Sequence, residues 1–276
     1  MKISLAHSPD SDDAFMFYGL ARGKVPTGDL EITHALVDIE TLNRRAREGR
    51  HEVTALSFHA YPYVADKYAL MPCGASIGDG YGPLLVAREE MEPGELAGRT
   101  VAVPGTLTTA YLALKLFAPA VATRVVPFDH TLDEVAQGRA DLGLVIHEGQ
   151  LTYGGHGLRK VLDLGAWWKG ETGLPLPLGG NAVRRDLGSA LMARLTDLVR
   201  ETVRYSLAHR REALEYAMGF ARGMDPAVAD RFVGMWVNDM TIECGERGRL
   251  AVQTLLDRGH AAGVIPSRVQ ADFVAA

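Results

Sequence analysis

The sequence predicts an α/β protein of two lobes, each a mostly parallel sheet flanked by helices, with a ligand cleft between them. Three observations carry this. The first sixty residues alternate strand, helix, strand, helix, strand. A second alternation of the same kind begins at Thr100 and ends near His147. After Gly180 the pattern becomes mostly helical. Strands alternating with helices build parallel sheets covered by helices. The expected organisation is discontinuous: residues 1–88 and 181–276 form a large lobe, and residues 89–180 form a smaller lobe inserted into it. Connections near Arg88 and Gly180 would then act as a hinge. The length, 276 residues, lies where one core stops growing and chains divide.

Each element has a local reason. Residues 2–6 are a short apolar strand, and the turn 8–13 that follows carries Pro9 and five polar residues. Asp12 or Asp13 can cap a helix that runs to about Arg22. Residues 30–37 read as a strand, 38–48 as a helix stopped by Gly49, and 53–58 as a third strand. Residues 84–87 are a further apolar strand, and 89–98 a polar crossover. Residues 100–104 then form a strand, 109–117 a helix, 124–127 a strand, 132–138 a short helix and 141–147 a buried strand. The Pro- and Gly-rich run 173–180 marks the change of pattern. Beyond it Leu191, Leu195, Leu198 and Val199 recur at helical spacing, and residues 211–222, 226–236 and 246–258 read as further helices.

Composition excludes several classes. The chain is 47% hydrophobic with net charge −5, which excludes an intrinsically disordered protein. The mild acidity argues against a nucleic-acid binder, which needs a basic stripe to displace counterions. Arg44, Arg45 and Arg47, Arg184 and Arg185, and Arg210 and Arg211 each sit among acidic residues and read as solvated faces. Cys73 and Cys244 make no disulfide framework and show no C-x-x-C spacing. The N-terminal run is too short for a secretory signal, which needs about 7–15 apolar residues. No stretch approaches the roughly 18 apolar residues of a membrane span. The expectation is a cytoplasmic protein that meets neither membrane nor nucleic acid.

His147 stands at the predicted end of an apolar strand, where an imidazole would face the cleft and could move a proton near neutral pH. A histidine that merely ends a strand is the plainer alternative. Thr106, Thr108 and Thr109 follow strand 100–104 and open a helix, whose free N–H groups suit a carboxylate or phosphate; simple capping is compatible with that. Ser57 ends a strand and Asp13 starts a helix on the same side, so a turn and a cap compete with a binding role. No G-x-x-x-x-G-K-[ST] supports a P-loop. His147-Glu148 is not followed by histidine at 151, which is Leu, so no zinc H-E-x-x-H exists, and no G-x-S-x-G elbow is present. The run 78–82 reads as a loop, and Trp167 and Trp168 suit either a cleft wall or a core. No metal or cofactor is expected.

Several strings together resemble a family. They are Asp38-Ile39-Glu40-Thr41-Leu42-Asn43, Val103-Pro104-Gly105 with Thr108-Thr109-Ala110-Tyr111, Gly143-Leu144-Val145-Ile146-His147-Glu148, Asp163-Leu164-Gly165-Ala166-Trp167-Trp168 and the segment 172–179. In order and over essentially the whole chain, they resemble the 1,4-dihydroxy-6-naphthoate synthases of the futalosine route to menaquinone. The resemblance implies a periplasmic-binding-protein-like fold of the second type. It implies a lyase that converts cyclic de-hypoxanthine futalosine to 1,4-dihydroxy-6-naphthoate with loss of the sugar-derived fragment. It also implies His147 as the base, and substrate contacts at Ala55, Leu56 and Ser57 and at Thr109 and Ala110. Thr108 and Asp13 join these from the cleft reading. One segment departs: many members carry Ser-Pro-Cys-Pro-Asn-Asp-Thr-Phe near the start, whereas this chain has Asp12 for the Asn and Ala14 for the Thr. Two other readings share the fold: a small-carboxylate-binding protein without catalysis, and a chorismate dehydratase of the same pathway. Fold alone does not separate them.

Overall fold

The computed structural model describes residues 1–275. Eleven strands run in chain order: β1 (Lys2–His7), β2 (Glu31–Leu36), β3 (Val53–Ser57), β4 (Tyr68–Leu70), β5 (Ser76–Gly78), β6 (Leu84–Ala87), β7 (Thr100–Val103), β8 (Ala122–Val125), β9 (Leu142–Val145), β10 (Arg159–Asp163) and β11 (Leu176–Arg184). They form two sheets. The first has the order β2-β1-β3-β11-β4, with β5 also paired to β11; the second has the order β10-β6-β9-β7-β8.

Both sheets are mixed, which corrects the expectation of mostly parallel sheets. In the first, β1 is parallel to β2 and β3, but β11 is antiparallel to β3, β4 and β5. In the second, β7 is parallel to β8 and β9, while β6 is antiparallel to β9 and β10. The reason is the two crossings. A chain that leaves one βαβ unit for a second and returns adds strands without the crossover helix that parallel pairing needs.

The crossings also differ in place from the expected boundaries. Strand β6 belongs to the second sheet although it precedes residue 88, and β11 belongs wholly to the first although it starts before residue 181. The chain therefore passes over between Gly78 and Leu84 and returns between Asp163 and Leu176. Pro177 and the pair Gly179-Gly180 hid β11 from the sequence, because Pro and Gly weaken a strand reading. Its register against β5 slips between Pro177 and Gly179, where the proline lies.

The strand ends fix the helix starts. The first helix runs only from Ser11 to Met16, and the chain re-forms a second one at Tyr18–Ala21. Asp10, rather than Asp12 or Asp13, occupies the N-cap position and leaves both later carboxylates in the first turn. Asp38 caps the helix Ile39–Arg47 by accepting from the Thr41 N–H at 2.9 Å. Thr108 caps Thr109–Phe117 by accepting from the Tyr111 N–H at 3.2 Å. The C-terminal helices Ser189–Ala208, Arg210–Ala217 and Pro226–Trp236 bury Leu195, Val199, Val203, Ala213 and Val233 against Ile3, Leu5 and Val53 of the first sheet. The helix Gly245–Ala261 buries Val252, Leu255 and Leu256 in a core that also contains Leu56, Leu85, Val101 and Leu144. That core spans both sheets, so the lobes share apolar contact at the root of the cleft. Trp168 is part of it, fully buried with its Nε1–H donated to the Pro175 carbonyl at 3.1 Å. Among the described residues no helix is long and apolar enough to cross a membrane.

Candidate active site

A cavity of about 750 Å³, counting its open mouth, lies between the sheets. Its walls come from segments that follow the C-terminal ends of parallel strands: Ser8, Asp10, Asp12 and Asp13 after β1, Ser57 at the end of β3, Thr108–Ala110 after β7 and Ile146 after β9. Such strand ends are where open α/β sheets bind ligands.

Register explains the floor. Gly179 pairs with Ser57, Gly180 with Leu56 and Asn181 with Ala55, so two consecutive tripeptides of neighbouring strands line the cavity side by side. A Cβ at Gly179 would lie 3.1 Å from the Leu56 carbonyl oxygen, and one at Gly180 the same distance from the Phe58 ring. The missing side chains leave the floor open.

Asn43 fixes Ser57. Its Oδ1 accepts from the Ser57 N–H at 2.9 Å, and its Nδ2 donates to Ser57 Oγ at 3.0 Å. The same helix reaches across to the second lobe. Glu40 Oε2 accepts from the Leu107 N–H at 3.0 Å, lying where a Cβ on Gly105 would be 2.3 Å from the Glu40 carboxyl. His59 completes the bridge, donating its N–H to Thr109 Oγ1 at 3.1 Å while its Nδ1 meets the Thr108 carbonyl at 3.2 Å. The turn that opens the helix Thr109–Phe117 is thus held by the Glu40 carboxylate and by the ring and backbone of His59.

That turn has the groups an anion needs. Thr108 Oγ1 donates to the Gly105 carbonyl at 3.0 Å and accepts from Tyr111, so its proton is committed to the cap. Thr109 Oγ1 accepts from His59 and keeps its own proton for a ligand. The first-turn N–H groups of Thr109 and Ala110 have no partner within the helix. Thr106 is exposed and lies outside the cavity.

Asp12 and Asp13 face this turn from the other lobe. Burial raises both carboxyls above the ordinary carboxylate range. Neighbouring carboxylates add to the rise, while the Ser8 N–H, 2.8 Å from Asp13 Oδ2, opposes it at Asp13. The Asn181 Oδ1 and Trp236 Nε1 atoms, on residues lining the cavity, have no protein partner.

The cavity gathers Asp13, Ala55, Leu56, Ser57, Thr108, Thr109 and Ala110. His147 is not among its walls, which corrects the expectation that it faces the cleft. Strand β9 stops at Val145, Ile146 takes the wall, and the His147 ring is held by backbone groups outside it. Its Nε2 is 2.9 Å from the Phe128 carbonyl, and its Nδ1 accepts from the Gly149 N–H at 3.0 Å. A carbonyl only accepts and an amide N–H only donates, so these partners fix the neutral Nε2–H tautomer. Sequence reading missed Glu40, Asn43, His59, Asn181 and Trp236. Of these, only Glu40 and Asn43 lay in a string that had drawn notice.

The family model described as menaquinone biosynthesis matches residues 3–261. The chain belongs to that family. It is 42% identical over 272 residues to a Streptomyces coelicolor protein named 1,4-dihydroxy-6-naphthoate synthase, covering 96% of this chain and 95% of that one. It is 44% identical over 262 residues to the Thermus thermophilus protein of the same name, covering 95% of each. A crystal structure from Archaeoglobus fulgidus superposes with a TM-score of 0.92 at 47% identity, covering 96% of this chain and 98% of the other. At the level of fold alone, the alkanesulfonate-binding protein of Xanthomonas axonopodis matches with a TM-score of 0.72 at 13% identity, covering 98% and 96% of the two chains. This menaquinone-biosynthesis protein therefore has the periplasmic-binding-protein-like fold that the family resemblance implied, and the two relatives identify it as kin of enzymes.

Proposed function

We propose that the protein is a lyase that converts cyclic de-hypoxanthine futalosine to 1,4-dihydroxy-6-naphthoate in the cytoplasm, releasing the sugar-derived fragment. One observation carries the reading: a single cavity joins an anion-binding helix start, an apolar floor and two carboxyls that burial raises above the ordinary carboxylate range. The helix start of Thr109 and Ala110, with the Thr109 hydroxyl, holds the substrate carboxylate. The floor formed by Ala55, Leu56 and the two glycines takes the ring system, and Ser57 offers a hydroxyl oriented by Asn43. A carbonyl on the substrate serves as the electron sink, so this scheme routes no step through a cofactor.

His147 acts as the base. In the conformation described, its Nδ1 lone pair is taken by Gly149, so the ring must release Gly149 and tilt towards the Ile146 wall while the Phe128 carbonyl keeps its Nε2–H. Movement of the lobes about the two crossings, between Gly78 and Leu84 and between Asp163 and Leu176, would accompany this step. General-base catalysis supplies about 10²–10⁴-fold. Purified protein is mixed with cyclic de-hypoxanthine futalosine, and product is followed by chromatography. Asp12→Asn beside His147→Asn separates the two proton acceptors: loss confined to the His147 variant supports the assignment, and loss confined to the Asp12 variant moves the base to the carboxyl.

A further inference from the structure

Arg222 is the one non-glycine residue with a positive φ among the described residues, at +49°. It sits in the turn between the short 3-10 segment Met218–Phe220 and the helix Pro226–Trp236, next to Gly223 at +78°. A long side chain is disfavoured in that conformation, and it persists only where contacts over-determine it. The contacts here are three. Nη1 lies 2.6 Å from Glu148 Oε1, Nη2 lies 2.7 Å from Asp10 Oδ1, and the guanidinium stands 4.9 Å over the Phe128 ring.

These partners come from both sides of the cleft. Asp10 belongs to the turn after β1 and lines the cavity. Glu148 and Phe128 belong to the second lobe, and both touch His147. Phe128 accepts the His147 Nε2–H through its carbonyl and sets its ring edge-on to the imidazole at 5.6 Å. Glu148 Oε2 is 3.7 Å from His147 Nδ1 and has no hydrogen-bond partner. Arg222 does not itself line the cavity, yet it bonds Asp10 of the cavity wall and holds the two residues that set the His147 ring.

We propose that Arg222 is a positioning residue: it ties Asp10 of the first lobe to Glu148 and Phe128 of the second, and so fixes the orientation from which His147 acts. The proposal rests on the reading of His147 as the base. Arginine suits the task because its planar fork meets two carboxylates and stacks on an aromatic ring at once; a lysine ammonium is a point charge.

The test uses Arg222→Gln, Arg222→Lys, Glu148→Gln and the Arg222→Gln/Glu148→Gln double variant. Turnover of cyclic de-hypoxanthine futalosine is measured, and the ring nitrogens of His147 are read by nuclear magnetic resonance. The expected result in Arg222→Gln is a kcat lower by about ten- to a hundredfold, the scale of a misoriented catalytic group, with KM within threefold. Arg222→Lys should recover part of the loss. The double variant should lose no more than the worse single, since both disrupt one contact. The wild-type ring should read as the Nε2–H tautomer, and Arg222→Gln should shift its nitrogens towards a tautomer mixture. An unchanged kcat, multiplicative losses in the double variant, or identical ring nitrogens in Arg222→Gln and wild type would each overturn the proposal. If Arg222→Gln does not fold, Arg222→Lys and Glu148→Gln carry the same ring-nitrogen comparison. Absence of turnover in wild type would sink the lyase reading instead, and the ring-nitrogen comparison would still decide the clamp.

Discussion

Replacing Asn43 by Ala tests how the site is held. The side chain is fully buried, and it satisfies both the N–H and the hydroxyl of Ser57. Truncation leaves the Ser57 N–H buried without an acceptor, because that amide has no other partner and Ser57 itself is 3% exposed. A buried donor left unpaired costs about 1–3 kcal/mol. The weaker contact from Nδ2 to the Leu107 carbonyl, at 3.4 Å, adds little. With the cavity left by the lost amide, the expected destabilisation is about 2–4 kcal/mol. Urea unfolding should show it as a lower midpoint with an unchanged slope. Ser57 also loses its orientation, so KM for the proposed substrate should rise. A loss below about 1 kcal/mol would refute the argument that Asn43 is what satisfies Ser57.

Three further outcomes follow from the same geometry. Asp12 has a carboxyl raised above its unfolded value of 3.8, so the folded protein binds more protons than the unfolded chain as pH climbs from about 4, and stability falls through that window. Asp12→Asn should therefore raise the melting temperature at pH 8 and give little gain at pH 4, and thermal scans at both would show an equal gain if burial does not perturb Asp12. Gly105→Ala puts a methyl group on the Glu40 carboxyl, which must leave the Leu107 N–H; weaker binding of a carboxylate ligand, read by calorimetry, is expected, and unchanged affinity would mean Glu40 does not hold the helix start. Thr109→Val removes both the acceptor of the His59 N–H and the hydroxyl facing the ligand, and should weaken the same binding about tenfold, against no change if the hydroxyl is idle.

The parts of the fold that were legible share a cause. β1, β3, β7 and β9 are short apolar runs bounded by polar turns, and their burial gives the pattern its contrast. Thr108 showed as a cap because capping is a local signal. The parts that were not legible depend on partners distant in sequence. β11 is a strand because β3 and β5 flank it, in spite of Pro177 and two glycines. Residues 211–222 carry a helical pattern, but the helix ends at Ala217, and Arg222 takes a left-handed conformation for contacts with Asp10 and Glu148. The orientation of His147 also escaped. Position at a strand end says which end of the sheet a residue reaches, and the exact last residue of β9 decides which way it points.

The most direct measurement is a turnover assay of wild type and His147→Asn, both treated with EDTA and given no added cofactor. Wild type should convert cyclic de-hypoxanthine futalosine to 1,4-dihydroxy-6-naphthoate, and the variant should be slower by about 10²–10⁴-fold. A variant within threefold of wild type would remove His147 from the mechanism, and a wild type that binds the substrate without forming product would contradict the assignment as a lyase.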